Sequence, residues 1–197
     1  MSGVRHQIIE TTFALLESQG FHATGLNQIV KESGAPKGSL YYYFPEGKDE
    51  IAEATIAWAG QNVAERIHTG LAVSDNAATA VRIFVDNIAA AVEHSGFRSG
   101  GPLTMVAMET ATTNGRLNRA CCEAYTLLQA AFAAKLVASG YAQAQELATF
   151  ITAAIEGGII LSRTYHTGDH LRLVAEQIAQ LLQHLPSEDN TAREEHR

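Results

Sequence analysis

Two cysteines in 197 residues are too few for a disulfide scaffold, and no His or Cys cluster at finger spacing suggests a structural zinc module. Only four prolines occur (Pro36, Pro45, Pro102 and Pro186), so long stretches lack the strongest helix breaker. No apolar run approaches the roughly 18 to 20 residues that span a bilayer, so no membrane partner is expected. The opening Met-Ser-Gly-Val-Arg-His-Gln lacks the apolar core of an export signal, which makes the cytoplasm the expected compartment. Alternating β-branched runs bounded by turn signals are missing. Positive charge is scarce: 14 Lys and Arg stand against 21 Asp and Glu, a formal net charge of −7. That balance argues against gripping a polyanion through bulk charge, though one local patch could still do so. A Gly-rich phosphate loop, a nucleophile elbow and His-Glu-x-x-His are all absent, so neither an enzyme nor a catalytic residue is expected.

What remains is helical. Apolar residues make up 46% and charged residues 18%, a globular composition. The proline-free stretches are rich in Ala, Leu, Glu and Gln, the good helix formers. The fold expected is all-α, with about nine helices. Ile9, Phe13 and Leu16 recur at i, i+4, i+7 and predict a helix over 5–19, ended by Gly20. Short helices follow over 26–33, stopped by Gly34, and over 37–43, stopped before Pro45. Longer ones are predicted over 48–69, 76–95, 102–112, 115–139, 142–166 and 169–184. Near residue 50 short helices give way to long ones. The expected organisation is a three-helix domain over 1–47, a helical domain over 48–185, and a polar tail over 186–197.

The informative stretch runs from Gly20 to Ile51. Thr24 lies just before the second helix, placed for its hydroxyl to accept from orphan backbone N–H groups. Leu26, Ile29 and Val30 form one apolar face, and Gly34 supplies a turn that enters the left-handed region without steric cost. Lys37 and Ser39 open a third helix anchored by Leu40 and Phe44 and surrounded by Tyr41, Tyr42 and Tyr43. A helix, a tight turn and a second short helix are what a helix-turn-helix needs to put the second helix in a major groove. The stretch closely resembles the DNA-binding domain of the TetR family of transcriptional repressors. Within it, Ser33-Gly34-Ala35-Pro36-Lys37-Gly38-Ser39-Leu40-Tyr41-Tyr42 and Phe44-Pro45-Glu46-Gly47-Lys48 are similar to the LmrA/YxaF subgroup, Gly47 matching its extra glycine. Weaker echoes occur at Gly101-Pro102-Leu103 through Glu109 and at Ile155-Glu156-Gly157-Gly158 through Arg163.

The resemblance implies a homodimer that grips a palindromic operator on double-stranded DNA with two heads. It also implies a C-terminal domain that binds a small hydrophobic or aromatic effector and dimerises through the last two helices. The alternative is a cytosolic helical small-molecule-binding protein without a DNA function. Two departures stand out. Tyr43 occupies a position where the subgroup usually has His. Residues 1–50 carry four basic residues against six acidic ones, a net of −2, so phosphate affinity must come from a few placed cations, hydroxyls and helix N-termini.

Residue roles follow. Lys37 is expected to touch a base edge or phosphate, with Gly38 and Ser39 against the groove. Tyr41 and Tyr42 are expected to contact phosphate and sugar, and Thr24 and Lys48 to hold flanking phosphates. Trp58, Phe84, Met105, Met108, Tyr125 and Phe132 are candidate walls of an effector pocket, which between helices is mostly apolar and aromatic. Glu109 is either a polar contact in that pocket or half of an ion pair with an arginine such as Arg82, Arg116 or Arg163, because an unpaired buried carboxylate is costly. Gly157 and Gly158 cost about 1 kcal/mol each in a helix interior and imply the close approach of another helix. With Leu171, Val174 and Ile178 they are expected at the dimer interface. Cys121 and Cys122 are adjacent, too close for an ordinary bridge, and read as core filling. Gly168 between His166 and His170 interrupts the helix a metal pair would need. No metal and no cofactor is expected.

Overall fold

The computed structural model describes residues 3–186, the Pro102 side chain excepted. Nine helices and no strand occur among the described residues: α1 (Gly3–Ala23), α2 (Leu26–Ser33), α3 (Lys37–Tyr43), α4 (Lys48–Leu71), α5 (Ala77–His94), α6 (Pro102–Thr110), α7 (Gly115–Ala138), α8 (Ala144–Tyr165) and α9 (Asp169–His184). The all-α reading is therefore correct. The tail expected over 186–197 lies, beyond Pro186, outside the described residues.

Local punctuation explains the helix ends. Gly20 interrupts α1 at φ 80°, ψ 179°, and a last turn continues to Ala23. Gly34 closes α2 in the left-handed conformation at φ 63°. Gly47 turns α3 into α4 at φ 79°, where a side chain would be strained. The Asn76 side chain accepts from the Thr79 N–H at 2.9 Å, and Asn114 accepts from the N–H groups of Arg116 and Leu117, capping α5 and α7.

The chain forms two compact units. The first holds the residues up to Asn62 together with Gly101–Tyr125, and the second holds Val63–Gly100 with the residues from Thr126 onward. The three-helix segment 1–47 lies inside the first unit, but that unit does not end there: α6 and the starts of α4 and α7 belong to it. Its head core is Ile8, Ile9, Leu15, Ile29, Ala35, Leu40, Phe44 and Ile51, contributed by α1 to α4. Burying an Ile, Leu or Phe side chain contributes roughly 1.5–3 kcal/mol, so the seven of these in the cluster fix the short helices that could not stand alone.

In the second unit α5 packs on α9 and α8, and α8 on α9. Ile151, Ile155 and Ile159 of α8 and Leu171, Ala175, Ile178 and Leu182 of α9 form the buried faces. By length and composition α8 is long and apolar enough to cross a membrane, although no unbroken apolar run of that length was expected from the sequence. Its sequence interrupts that character with Glu156, and one of its faces is buried against α9 and α5.

Candidate DNA-binding site

The turn between α2 and α3 leads from Gly34 through Ala35, buried, to Pro36, which opens α3. The Ser33 hydroxyl accepts from the Ala35 N–H at 3.3 Å and stiffens the turn. Leu40 is fully buried and pins α3 to the head core. The opposite side of α3 faces solvent: Lys37 and Gly38 are exposed, Ser39 is half-buried, and Tyr41 and Tyr42 are 46% and 79% exposed. A Cβ at Gly38 would meet nothing within 4 Å, so the start of α3 presents an open surface to an approaching backbone. Tyr43 is partly buried against the core and stands edge-on to Tyr42 at 5.0 Å. Five of the seven expected contact residues thus share one open surface.

The other two do not. The Thr24 hydroxyl is 1% exposed and donates to the Gly20 carbonyl at 2.6 Å. It neither caps α2, whose N-cap is Gly25, nor reaches outward. Lys48 is half-buried, its Nζ 4.1 Å from the centroid of the Phe21 ring. Burial pulls its ammonium below the usual lysine range, while Asp49 and Glu109 act in the opposite direction.

The end of α6 and the start of α7, with the segment between them, grip the head at two places. At one, Glu109 Oε2 accepts from the N–H groups of Phe21 (2.6 Å) and His22 (3.0 Å), just past the break in α1. At the other, Asn114 donates to Asp49 at 2.8 Å, and Arg116 donates to Glu53 and pairs with Glu46. Glu53 first, then Glu46, hold the Arg116 guanidinium firmly charged. Glu46 is held in turn by its own N–H, which donates to Glu50 at 2.9 Å. Glu109 thus spends its carboxylate on these backbone N–H groups, and among the described residues no ion pair joins it to an arginine. Arg116 takes Glu46 and Glu53, and Arg163 donates to the Phe97 carbonyl. Sequence reasoning missed this joint because its partners lie 88 residues apart.

Residues 8–55 match the family described as bacterial regulatory proteins, tetR family, and residues 77–177 match the C-terminal domain of LmrA/YxaF-like transcriptional regulators. The HTH-type transcriptional regulator YxaF of Bacillus subtilis (strain 168) is 41% identical over 90% of this chain and 94% of its own. The chain belongs to the TetR family. LmrA of the same organism, also an HTH-type transcriptional regulator, is 34% identical over 90% of this chain and 96% of its own. A TetR transcriptional regulator from Legionella pneumophila shares the fold, with a TM-score of 0.79 at 22% identity over 92% of this chain and 98% of that one.

As a TetR-family regulator the chain is a helix-turn-helix DNA-binding protein, and α2 and α3 are its motif. The expected effector residues of this regulator divide between the two units. Trp58 packs edge-on against His6 and Phe13 of α1 at 5.8 and 5.3 Å, beside the head core. Met108 is 80% exposed. Met105 and Tyr125 are half-buried, the Tyr125 hydroxyl 3.4 Å from that of Thr104. Phe84 and Phe132 belong to the second unit, edge-on at 5.8 Å, with Gly70 making room for the Phe84 ring.

The expected interface residues also divide. A Cβ at Gly158 would lie 3.0 Å from Leu171 and 3.3 Å from Val174, so the close approach inferred from this glycine is made by α9 of the same chain. Leu171 and Ile178 are buried there. Gly157 alone of the five opens to space. The exposed apolar residues of α8 and α9 are instead Phe150, Ile160, Leu161, Tyr165, Leu173 and Leu181. Cys121 is buried, which raises its thiol to about 11, and Cys122 is exposed. His166 stands edge-on to Phe97, His170 lies tilted against Tyr165, and Asp169 pairs with Arg172.

Proposed function

We propose that this regulator is a dimeric, ligand-responsive repressor that binds a palindromic operator through α3 and is released by a small hydrophobic or aromatic effector. The observation that carries the DNA-binding part is the outward face of α3: Lys37, Gly38, Ser39, Tyr41 and Tyr42 lie open around a fully buried Leu40. Such a helix offers one cation, an unobstructed backbone and three hydroxyls to a groove, which suits a head that is acidic overall. Lys48, at the start of α4, joins a flanking phosphate contact by turning its ammonium away from Phe21. Thr24 serves the interface from behind, as part of the scaffold.

The second copy docks on the exposed apolar residues of α8 and α9, in keeping with a family whose members typically form dimers. That face, with Phe150, Leu161 and Leu173 open, suits a protein partner better than water. Two heads related by a two-fold axis read two half-sites about one turn of DNA, roughly 34 Å, apart. Effector contacts are proposed at Phe84 and Phe132 in the second unit. Release then requires only that the effector prefer the conformation that does not fit DNA, with a coupling of about 1–3 kcal/mol. The reading makes the chain a cytoplasmic regulator with neither catalytic activity nor a cofactor.

A gel shift with the DNA flanking its own gene, repeated with planar phenolics and hydrophobic antibiotics, tests the proposal. A retarded band that one of these compounds abolishes supports it. A protein that binds such compounds but retards no DNA would be the helical small-molecule-binding protein kept as the alternative.

A further inference from the structure

Glu109 is the only charged side chain of α6, and it is spent on backbone. Where α1 breaks at Gly20, the N–H groups of Phe21 and His22 lose their helical acceptors, and unmade hydrogen bonds of this kind are costly. The Glu109 carboxylate accepts both. Gly20 is needed twice at this joint. Its φ of 80° disfavours any side chain, and a Cβ there would overlap the carboxylate itself.

On the far side of the break the Gly20 carbonyl accepts from the buried Thr24 hydroxyl. Gln19 continues the chain of contacts, donating to the Ala23 carbonyl at 3.1 Å and to Gln28 of α2 at 2.8 Å. Gln28 in turn donates to Glu32, near the end of α2. A continuous set of hydrogen bonds therefore runs from α6, through the break in α1, along α2.

We infer that Glu109 is a positioning residue for DNA recognition: by holding the break in α1 it sets where α2 begins, and thereby the aim of α3. The inference rests on the DNA-binding reading above. It explains why a threonine expected to meet phosphate is buried behind the interface, and why α6 keeps one carboxylate.

The test begins with selection from a random duplex library by the unaltered protein. Affinities of Glu109→Ala, Glu109→Gln and Gly20→Ala are then measured for the selected duplex and for a scrambled duplex of equal length, at one salt concentration. Binding without sequence preference is mostly phosphate attraction and tolerates a mis-aimed helix, whereas base contacts do not. Glu109→Ala is expected to lose at least about tenfold on the selected duplex and little on the scrambled one, so the specificity ratio falls. Glu109→Gln, whose amide oxygen still accepts, recovers part of that ratio, and Gly20→Ala resembles Glu109→Ala. Hydrogen exchange at Phe21 and His22 accelerates in Glu109→Ala.

An alanine variant that loses affinity for both duplexes equally, in step with its folded fraction, makes the joint merely structural and overturns the inference. So does an unchanged ratio, or unchanged exchange at the two amides. If the unaltered protein selects no sequence, the DNA-binding reading itself fails and this inference falls with it. Selection by the unaltered protein with an unchanged ratio in the variants removes the inference alone.

Discussion

The outward face of α3 and the outward faces of α8 and α9 are both open to solvent, yet they are built from different chemistry. On α3 the exposed side chains carry an ammonium and hydroxyls around a glycine with nothing above it. On α8 and α9 they include Phe150, Ile160, Leu161, Tyr165, Leu173 and Leu181, set among polar side chains such as Glu146, Arg172, Glu176 and Gln180. A polar partner with a regular surface suits the first, and a second apolar surface suits the second. Inside the chain the contrast continues. The head packs directly on α6 through α1, and polar contacts at Glu109, Asn114 and Arg116 add to that packing. In the second unit, α8 meets α9 through Gly158, Leu171 and Val174 in van der Waals contact. A few polar contacts can be exchanged for others, whereas a packed apolar seam resists change.

The largest effect is expected from breaking the apolar face. The double variant Leu161→Glu, Leu173→Glu places like charges on an exposed surface that a second copy would bury. Sedimentation should show monomer, with helicity retained because neither residue is part of the core. Operator affinity should fall by on the order of 100-fold as one head replaces two. An unchanged dimer would move the interface elsewhere.

A smaller effect is expected inside the seam. Gly158→Leu would push against Leu171 and Val174 of the same chain, and overpacking of this kind costs about 1–3 kcal/mol. The thermal midpoint should drop by several degrees while the dimer persists. Dissociation without loss of stability would mean that Gly158 faces a second copy after all.

The smallest effect concerns Glu93, which accepts from the Gly168 N–H at 2.9 Å and from Arg172 at 2.9 and 2.6 Å. Arg172 first, then the Gly168 N–H, hold its carboxyl below the ordinary value of 4.5. A carboxyl lowered on folding contributes stability that is present above that value and disappears as the pH falls through the folded one. The melting temperature of Glu93→Gln should therefore lie slightly below that of the parent at neutral pH and converge with it in acid. The difference stays small because the pair is solvent-exposed and screened. Curves that stay parallel down to low pH would assign the loss to something other than this carboxylate.

Much of the fold was legible because its punctuation is local. Gly34, Pro36 and Pro45 bracket α2 and α3, and both helices have the predicted bounds. Gly168 does the same for α9. The outward face of α3 was legible too, since Leu40 and Phe44 fix which way the rest must point. Other features depend on partners distant in sequence. Of the Gly157-Gly158 pair only Gly158 meets a close helix, and periodicity carries no sign of whether such a helix belongs to the same chain. Thr24 looked like a cap because it precedes α2, yet the break at Gly20 supplies a carbonyl that claims its hydroxyl. Trp58 sits on a helix shared by both units, and only the rings of His6 and Phe13 reveal the side to which it belongs. Glu109 had two reasonable readings, and neither included backbone N–H donors left open by a broken helix.

The most direct test of the central claim is the affinity of Lys37→Ala and Tyr42→Ala for the duplex that the unaltered protein selects. Both side chains are exposed, so helicity and dimerisation should be unchanged. Each variant is expected to bind at least tenfold more weakly, about 1.4 kcal/mol, the value of one good base or charge-assisted contact. If both bind as tightly as the parent, α3 is not the helix that reads DNA.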